Sequence, residues 1–156
     1  IRDEWQIIPS QNLSDALLIR RNHLYPKLII NEADVYTTDT MHRVNIKKDV
    51  NLDALVASYY NSLSLAFAEI SGRSHGGGVL ELMPSEVENI MLPYHDSNKN
   101  LVETIDKMIR ANESIDKILE ITNKKILIEN YGFTEKEVQI ADRIWKKLSN
   151  RRLNRN

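Results

Sequence analysis

Short runs of β-branched and aromatic residues alternate with polar turns along the first third of the chain. Such runs, bounded by turn residues, are typical of strands. They predict strands over residues 5–8, 16–21, 26–30 and 41–47. Because Pro26 lacks a backbone donor, its strand is expected to begin there or to lie at a sheet edge. A small, mainly antiparallel sheet is the simplest arrangement of these strands.

The next segment places apolar residues at helical spacing, at Leu55, Val56, Tyr59, Leu63, Phe67 and Ile70. Asn51 precedes the stripe as a suitable N-cap, and Gly72 follows it. These signals predict one long helix from Leu52 to Ile70. We expect this helix to cover one face of the sheet.

Glycine and proline divide the middle of the chain. The triplet Gly76–Gly78 precedes a short alternating run over residues 79–83, which predicts another strand that ends at Pro84. Ser85 and Glu88 have the spacing of a capping box and predict a short helix.

Helical periodicity dominates the rest of the chain. One stripe follows a candidate N-cap at Ser97 and comprises Leu101, Ile105, Met108, Asn112, Ile115 and Leu119. A separate helix is predicted over residues 126–131, with Gly132 after it. Thr134 and Glu137 repeat the capping-box spacing before a last helix. The apolar face of that helix consists of Val138, Ala141, Ile144, Trp145 and Leu148.

Together these elements predict an α+β fold in two parts. Residues 1–93 form an α+β part, in which the small sheet packs on the long helix. Residues 94–156 form a helical C-terminal subdomain, and the boundary is expected within residues 92–98. A chain of 156 residues is long enough to bury a single core without disulfides or a structural metal.

Composition narrows the classes of protein. The chain has no cysteine, which excludes a disulfide scaffold, a cysteine nucleophile and cysteine-ligated metal sites. A net charge of -1 favours neither binding nor avoidance of nucleic acid. No apolar run is long enough to span a bilayer. The chain begins without Met and without a targeting pattern, so we expect a cytoplasmic piece of a longer protein.

The polar residues do not form a recognisable catalytic or metal motif. No two of the four histidines have the spacing of a helical metal pair; they are His23, His42, His75 and His95. Asp34 and Asp39 flank a candidate strand but have no identifiable nucleophile or acid–base partner, as expected of solvated turn residues. The sequence therefore predicts no metal site and no catalytic residue.

The segment from Arg20 to Lys48 is locally basic. Its cations are Arg20, Arg21, Lys27, Arg43, Lys47 and Lys48, and they are interleaved with Thr37, Thr38, Thr40 and His42. Such donors suit phosphates and base edges, although an ordinary solvated β surface has the same composition. On a regular strand His42 and Arg43 lie on opposite faces. If this segment contacts nucleic acid rather than solvent alone, Arg43, with Thr38 and Thr40, is expected to face it.

Two further features leave alternatives open. Gly76–Gly78 lacks the spacing of a dinucleotide fingerprint or a P-loop, and is either a tight turn or a point of close approach to a ligand or a DNA backbone. From Arg143 to the end there are six basic residues and no acid, which fits either a solubilising helix end or a nucleic-acid patch. Between Asp96 and Asp142 ten carboxylates oppose seven Lys and Arg, so any contact with DNA is expected on the sheet side.

Two blocks of sequence carry a family resemblance. The first consists of residues 25–33, YPKLIINEA, and residues 37–44, TTDTMHRV. The second contains NSL at 61–63, AE at 68–69, GRSHGGGVLEL at 72–82 and PSE at 84–86. In order and spacing these blocks resemble the C-terminal part of bacterial adenine-specific DNA methyltransferases of restriction–modification systems.

The resemblance implies that two domains have different functions. In that family an N-terminal domain binds S-adenosylmethionine through a glycine-rich loop and holds the extruded adenine with an Asn/Asp-Pro-Pro-Tyr/Phe motif. Neither motif occurs in this sequence. The resemblance therefore implies a target-recognition region that holds no cofactor and is inactive alone, with double-stranded DNA and the N-terminal methyltransferase domain as partners. Its binding to DNA is expected to be weak and strongly salt-dependent.

The basic segment and the second block together give the predicted DNA-binding residues. They are Arg20, Arg21, Lys27, Thr38, Thr40, His42, Arg43, Arg73, Ser74, Gly76, Gly77 and Gly78. Two alternatives remain open. The chain is a piece of a fused restriction–methylation enzyme, or it is a structural module that docks onto the catalytic domain through Tyr59, Tyr60 and the apolar stripe.

Overall fold

A computed structural model describes residues 12–154 and has a mixed α+β fold, as predicted. The strands are β1 (Ala16–Ile19), β2 (Arg21–Asn22), β3 (Leu28–Ile30), β4 (Met41–Val44), β5 (Arg73–Ser74) and β6 (Leu80–Glu81). The helices are α1 (Leu52–Tyr59), α2 (Ser62–Ser71), α3 (Pro84–Val87), α4 (Val102–Arg110), α5 (Ile115–Thr122) and α6 (Glu135–Leu153). The predicted strand at residues 5–8 lies outside the described residues.

Two small antiparallel sheets replace the single expected one, with strand orders β3–β1–β4 and β2–β6–β5. The predicted strand over residues 16–21 is divided at Arg20. Its amide donates to the Thr40 carbonyl at 3.1 Å, while its carbonyl accepts from the Leu82 amide at 2.9 Å. The chain therefore leaves the first sheet and enters the second at this residue.

The predicted long helix is two helices, because Asn61 begins a new one. Its side chain accepts from the Ser64 amide at 2.9 Å and donates to the Ser58 carbonyl at 2.7 Å. Asn61 is fully buried, so these bonds satisfy an amide that water does not reach. The predicted Asn51 cap is confirmed, and its side chain accepts from the Ala54 amide at 2.9 Å.

Helix ends in the second half agree only in part with the prediction. The Thr134–Glu137 capping box is confirmed at the start of α6. Helix α3 is capped instead by Glu86, whose carboxylate accepts from the Met83 amide at 2.8 Å, so the predicted Ser85–Glu88 box was wrong. The stripe from Leu101 to Leu119 is also interrupted, since Asn112 has a left-handed φ of 55° between α4 and α5.

Other short segments complete the helical half. Ser97 lies inside a 3₁₀ turn, Asp96–Leu101, whose N-cap is His95. The helix predicted over residues 126–131 is a π-helical segment, Asn123–Asn130, and Gly132 follows it with a φ of 71°. Among the described residues no helix is both long and apolar enough to cross a membrane.

The main hydrophobic core draws on both predicted parts of the chain, from Ala16 to Trp145. Tyr59 and Tyr60 lie inside it with their rings edge to face and centroids 5.8 Å apart. The Tyr60 hydroxyl donates to the Leu28 carbonyl at 2.8 Å, and burial raises the pKa of both phenols. The two tyrosines hold this chain together, which corrects their predicted role in docking. The division into residues 1–93 and 94–156 remains a prediction.

Candidate nucleic-acid interface

The second sheet brings arginines from distant segments to one face. Its register places Glu81 of the central strand opposite both Arg21 and Arg73. Residues directly opposite one another project from the same side of a sheet, so these three side chains share a face. The Arg21 and Arg73 side chains are 70% and 61% exposed. Two cations that are about 50 residues apart in sequence thus become neighbours.

Two carboxylates organise this group. Glu81 lies 3.1 Å from both Arg21 Nε and Arg20 Nη2, and Glu86 lies 2.6 Å from Arg73 Nε. The hydrogen bond from Arg21 is the main reason that the pKa of Glu81 is lowered. The pKa of Glu86 is lowered first by the backbone N–H of Met83 and then by Arg73.

We call this group, Arg20, Arg21 and Arg73 with Glu81 and Glu86, the arginine face. Three guanidinium groups against two carboxylates leave it a net charge of +1. His75 Nε2 lies 3.0 Å from Glu81 and adds a second positive charge when it is protonated. The sequence did not single out either carboxylate, because acidic residues are common on solvated surfaces.

The N-terminal end of β4 lies beside the arginine face. The Thr40 carbonyl accepts from the Arg20 backbone amide, and His42 Nε2 lies 2.6 Å from the Leu82 carbonyl. The hydroxyls of Thr38 and Thr40 are 2.9 Å apart and exposed. Arg43 is exposed on the edge strand β4, whereas the His42 ring is engaged with the Leu82 carbonyl.

Ser74 and Lys27 lie apart from the arginine face. Ser74 is opposite the buried residue Leu80, so its side chain belongs to the other side of the second sheet. There it lines a cavity of about 240 Å³ with Arg151. The Lys27 ammonium lies 5.4 Å from the centre of the Tyr25 ring, at a cleft of about 590 Å³ between the β2–β3 connection, the α4–α5 turn and α6.

The glycine triplet forms a tight turn between β5 and β6, next to Arg73. Gly77 and Gly78 have φ values of 70° and 74°, a region that favours glycine. A Cβ on Gly78 would also lie 3.3 Å from Leu153 Cα, while one on Gly77 or Gly76 would meet no described atom within 4 Å. The triplet therefore serves a turn whose last residue is packed against α6.

The basic end of the chain contains a buried ion pair. Arg152 is only 2% exposed, and its Nη2 and Nε lie 2.7 and 3.1 Å from the two carboxylate oxygens of Glu69. Neither a solubilising helix end nor a nucleic-acid patch describes this residue. The run of cations at this helix end did not indicate a buried ion pair, although Glu69 lies in the second block of the resemblance. No group of three or more metal-ligating side chains is arranged to hold an ion within residues 12–154.

Residues 1–127 match the family model described as "Type II methyltransferase M.Eco57I, C-terminal domain". The matched range contains the whole arginine face and the glycine turn, whereas α6 lies beyond it. No curated protein and no solved structure matches the chain significantly.

Proposed function

The chain belongs to the family of type II methyltransferase C-terminal domains, and on that premise we propose that it recognises double-stranded DNA for such an enzyme. In this proposal the enzyme methylates adenine at N6 with S-adenosylmethionine. Chemistry on a base requires its extrusion from the duplex, so a catalytic domain with the cofactor works beside a domain that grips the DNA. In this proposal the catalytic domain binds the cofactor, and this chain binds the DNA.

The arginine face is the observation that carries the proposal. Arg21 and Arg73 are more than half exposed, while one carboxylate anchors each guanidinium through Nε. An anchored guanidinium approaches a phosphate or a guanine edge in a fixed orientation. The exposed hydroxyls of Thr38 and Thr40 lie on the neighbouring strand connection and add further donors.

The cations of α4 and α5 contrast with those of the arginine face. Lys107, Arg110 and Lys117 each pair with a carboxylate four residues earlier, at 3.3, 2.7 and 2.5 Å. Both partners of the Arg110–Asp106 pair are more than half exposed, and the pair has no net charge. This balance supports contact with DNA through the sheet side.

Fluorescence anisotropy with a labelled duplex of mixed sequence tests the proposal. We expect Arg21→Ala and Arg73→Ala each to weaken binding by about tenfold at low salt and to reduce the slope of log affinity against log salt by about one. Arg110→Ala is the matched control, because it also removes one exposed, ion-paired arginine. It should change affinity by less than about twofold.

Equal effects of the three substitutions would mean that only general charge attraction holds the DNA. That result would contradict recognition by the arginine face. Affinity that none of them changes would exclude this face from the DNA contact. Binding that is insensitive to salt would contradict a contact made mainly with phosphates.

A second candidate function is docking onto the catalytic domain of the same enzyme, and one surface favours it. An apolar groove of about 280 Å³ runs between α2 and α6, where Ile70, Ile140 and Ile144 are 59%, 40% and 39% exposed. A contiguous patch of exposed apolar side chains is typical of an interaction surface. If docking is the main function, Ile140→Glu abolishes methylation by the whole enzyme while Arg73→Ala leaves its DNA affinity unchanged.

A further inference from the structure

The buried residue Arg152 joins three parts of the chain that are distant in sequence. One side of its guanidinium pairs with Glu69 of α2. Nη1 donates to the carbonyls of His23 and Gly78, and Nη2 donates to the Leu24 carbonyl at 3.4 Å. All three guanidinium nitrogens are therefore engaged with other elements of the fold.

These carbonyls stand where the β2–β6 ladder stops. The last paired residues are Asn22 and Leu80, so His23 and Gly78 are close to the next positions of the same antiparallel register. Strand pairing no longer satisfies their carbonyl groups there, and the guanidinium supplies the missing donors. Arg152 thus fixes the end of the hairpin that carries Arg73.

Gly78 shows how closely the end of α6 and this hairpin fit. Its φ of 74° disfavours a side chain, and a Cβ there would lie in tight contact with Leu153 Cα at 3.3 Å. The last turn of α6 therefore packs directly against the glycine turn. Leu153 and Arg152 hold the turn from adjacent positions on the same helix.

An arginine is an unusual residue for this place if its only task is to attach α6 to α2. An apolar pair of similar size would hold two helices together at least as well, since burying two charges costs desolvation energy. An apolar side chain cannot donate to the carbonyls of His23 and Gly78. What the guanidinium adds is a fixed position for the hairpin.

We propose that Arg152 is a positioning residue for DNA recognition, acting through the β5–β6 hairpin and Arg73. The proposal rests on the proposed function of the arginine face. It also assigns a role to α6, which lies outside residues 1–127 of the family match and yet determines the geometry of a turn inside it. The recognition unit then extends to the last turn of that helix.

The test uses the whole chain, with Arg152→Lys as the main variant and Arg151→Lys as the matched control. An ammonium keeps the charge beside Glu69 but loses the planar fork that reaches both carbonyls. Arg151 is exposed on the same helical turn, so its substitution makes the same chemical change without removing the donors to the His23 and Gly78 carbonyls. The double variant Glu69→Leu with Arg152→Met keeps the measurement possible if the single change prevents folding.

Amide hydrogen exchange is the first readout, because it does not depend on DNA. The His75 amide donates to the Val79 carbonyl at 2.8 Å across the glycine turn. In Arg152→Lys we expect this amide to exchange about tenfold faster, whereas amides in the middle of α6 keep their rates. Arg151→Lys should leave all of these rates unchanged.

Anisotropy with the labelled mixed-sequence duplex is the second readout, at a temperature where each variant is folded. Arg152→Lys should weaken binding about fivefold, and in an Arg73→Ala background the same change should have an effect of less than about twofold. This non-additivity separates positioning through Arg73 from a general loss of stability. A structural role alone would lower the melting temperature and leave the affinity of the folded protein unchanged.

Unchanged exchange at His75, or effects of Arg152→Lys and Arg73→Ala that simply add, would overturn the positioning role. Absence of DNA binding by the unmodified chain would instead overturn the proposed function of the arginine face. In that case the exchange rates still decide whether Arg152 holds the hairpin.

Discussion

Two arginine–glutamate arrangements in this protein have similar chemistry but opposite accessibility. At the arginine face, Arg73 pairs with Glu86 through Nε and remains 61% exposed. At the end of α6, Arg152 pairs with Glu69 and both side chains are almost completely buried, at 2% and 3% exposure. The first arrangement leaves a guanidinium exposed to solvent, and the second uses all of its donors inside the fold. Burial therefore separates the arginines that we propose to contact DNA from the one that we propose to position them.

The largest expected effect is on folding stability. In Glu69→Ala the buried guanidinium loses its counter-charge, and we expect the free energy of unfolding to fall by about 3–5 kcal/mol. Arg73→Ala breaks a pair whose arginine is 61% exposed and should cost less than about 1 kcal/mol. Urea unfolding of both variants measures the difference. Similar losses would show that accessibility does not distinguish the two pairs.

An intermediate effect is expected in the glycine turn, which lies between the two arrangements. Gly78→Ala combines a left-handed φ with close contact to Leu153, and should destabilise the protein by about 1–3 kcal/mol. Gly77→Ala has only the backbone strain and should cost less. Gly76→Ala is the control, because its added Cβ meets no described atom within 4 Å and its φ is not left-handed. Thermal unfolding should rank the variants in this order. Equal melting temperatures would show that neither the left-handed backbone nor the contact with Leu153 constrains the turn.

The smallest effect concerns the acid dependence of the arginine face. The pKa of Glu81 is lowered in the folded state, so its ionised form stabilises the fold above its ordinary value of 4.5. This stabilisation is lost as the pH falls from about 4.5 through the lower folded-state pKa. Glu81→Gln should therefore reduce stability at neutral pH and flatten the dependence in acid, as followed by urea midpoints from pH 7 to pH 3. An unchanged acid dependence would mean that these arginines do not stabilise the Glu81 carboxylate.

The local signals of the sequence identified many elements of the fold and missed the breaks between them. Asn51 and Thr134 act as predicted because a cap is satisfied by residues within one turn of it. The break at Asn61 was missed because Tyr59 and Leu63 keep helical spacing across it, so the periodicity continues where the helix does not. What stops the helix is a set of hydrogen bonds to a buried side chain, which periodicity does not report.

In the candidate site, too, the sequence identified some residues and missed others. Residue type and resemblance identified Arg20, Arg21 and Arg73, and pairing of β2, β6 and β5 brings these residues together around Glu81. Their role in DNA binding, like that of the other predicted contact residues, remains a prediction. Arg152 and Glu69 were missed as a pair because they are 83 positions apart and both are of types that are usually exposed.

The contacts of Arg152 also have a consequence for the order of folding. Its bond to the His23 carbonyl joins residues 129 positions apart, nearly the whole length of the described chain. Long-range contacts form slowly because a large loop must close before they stabilise anything. During synthesis from the N-terminus, the β2–β6 ladder can pair before α6 exists, but its open end is closed only when that helix has been made and has docked. The surface that we propose to bind DNA is therefore completed only after α6 has been made, so a nascent chain without α6 has the paired strands but lacks the donors of Arg152.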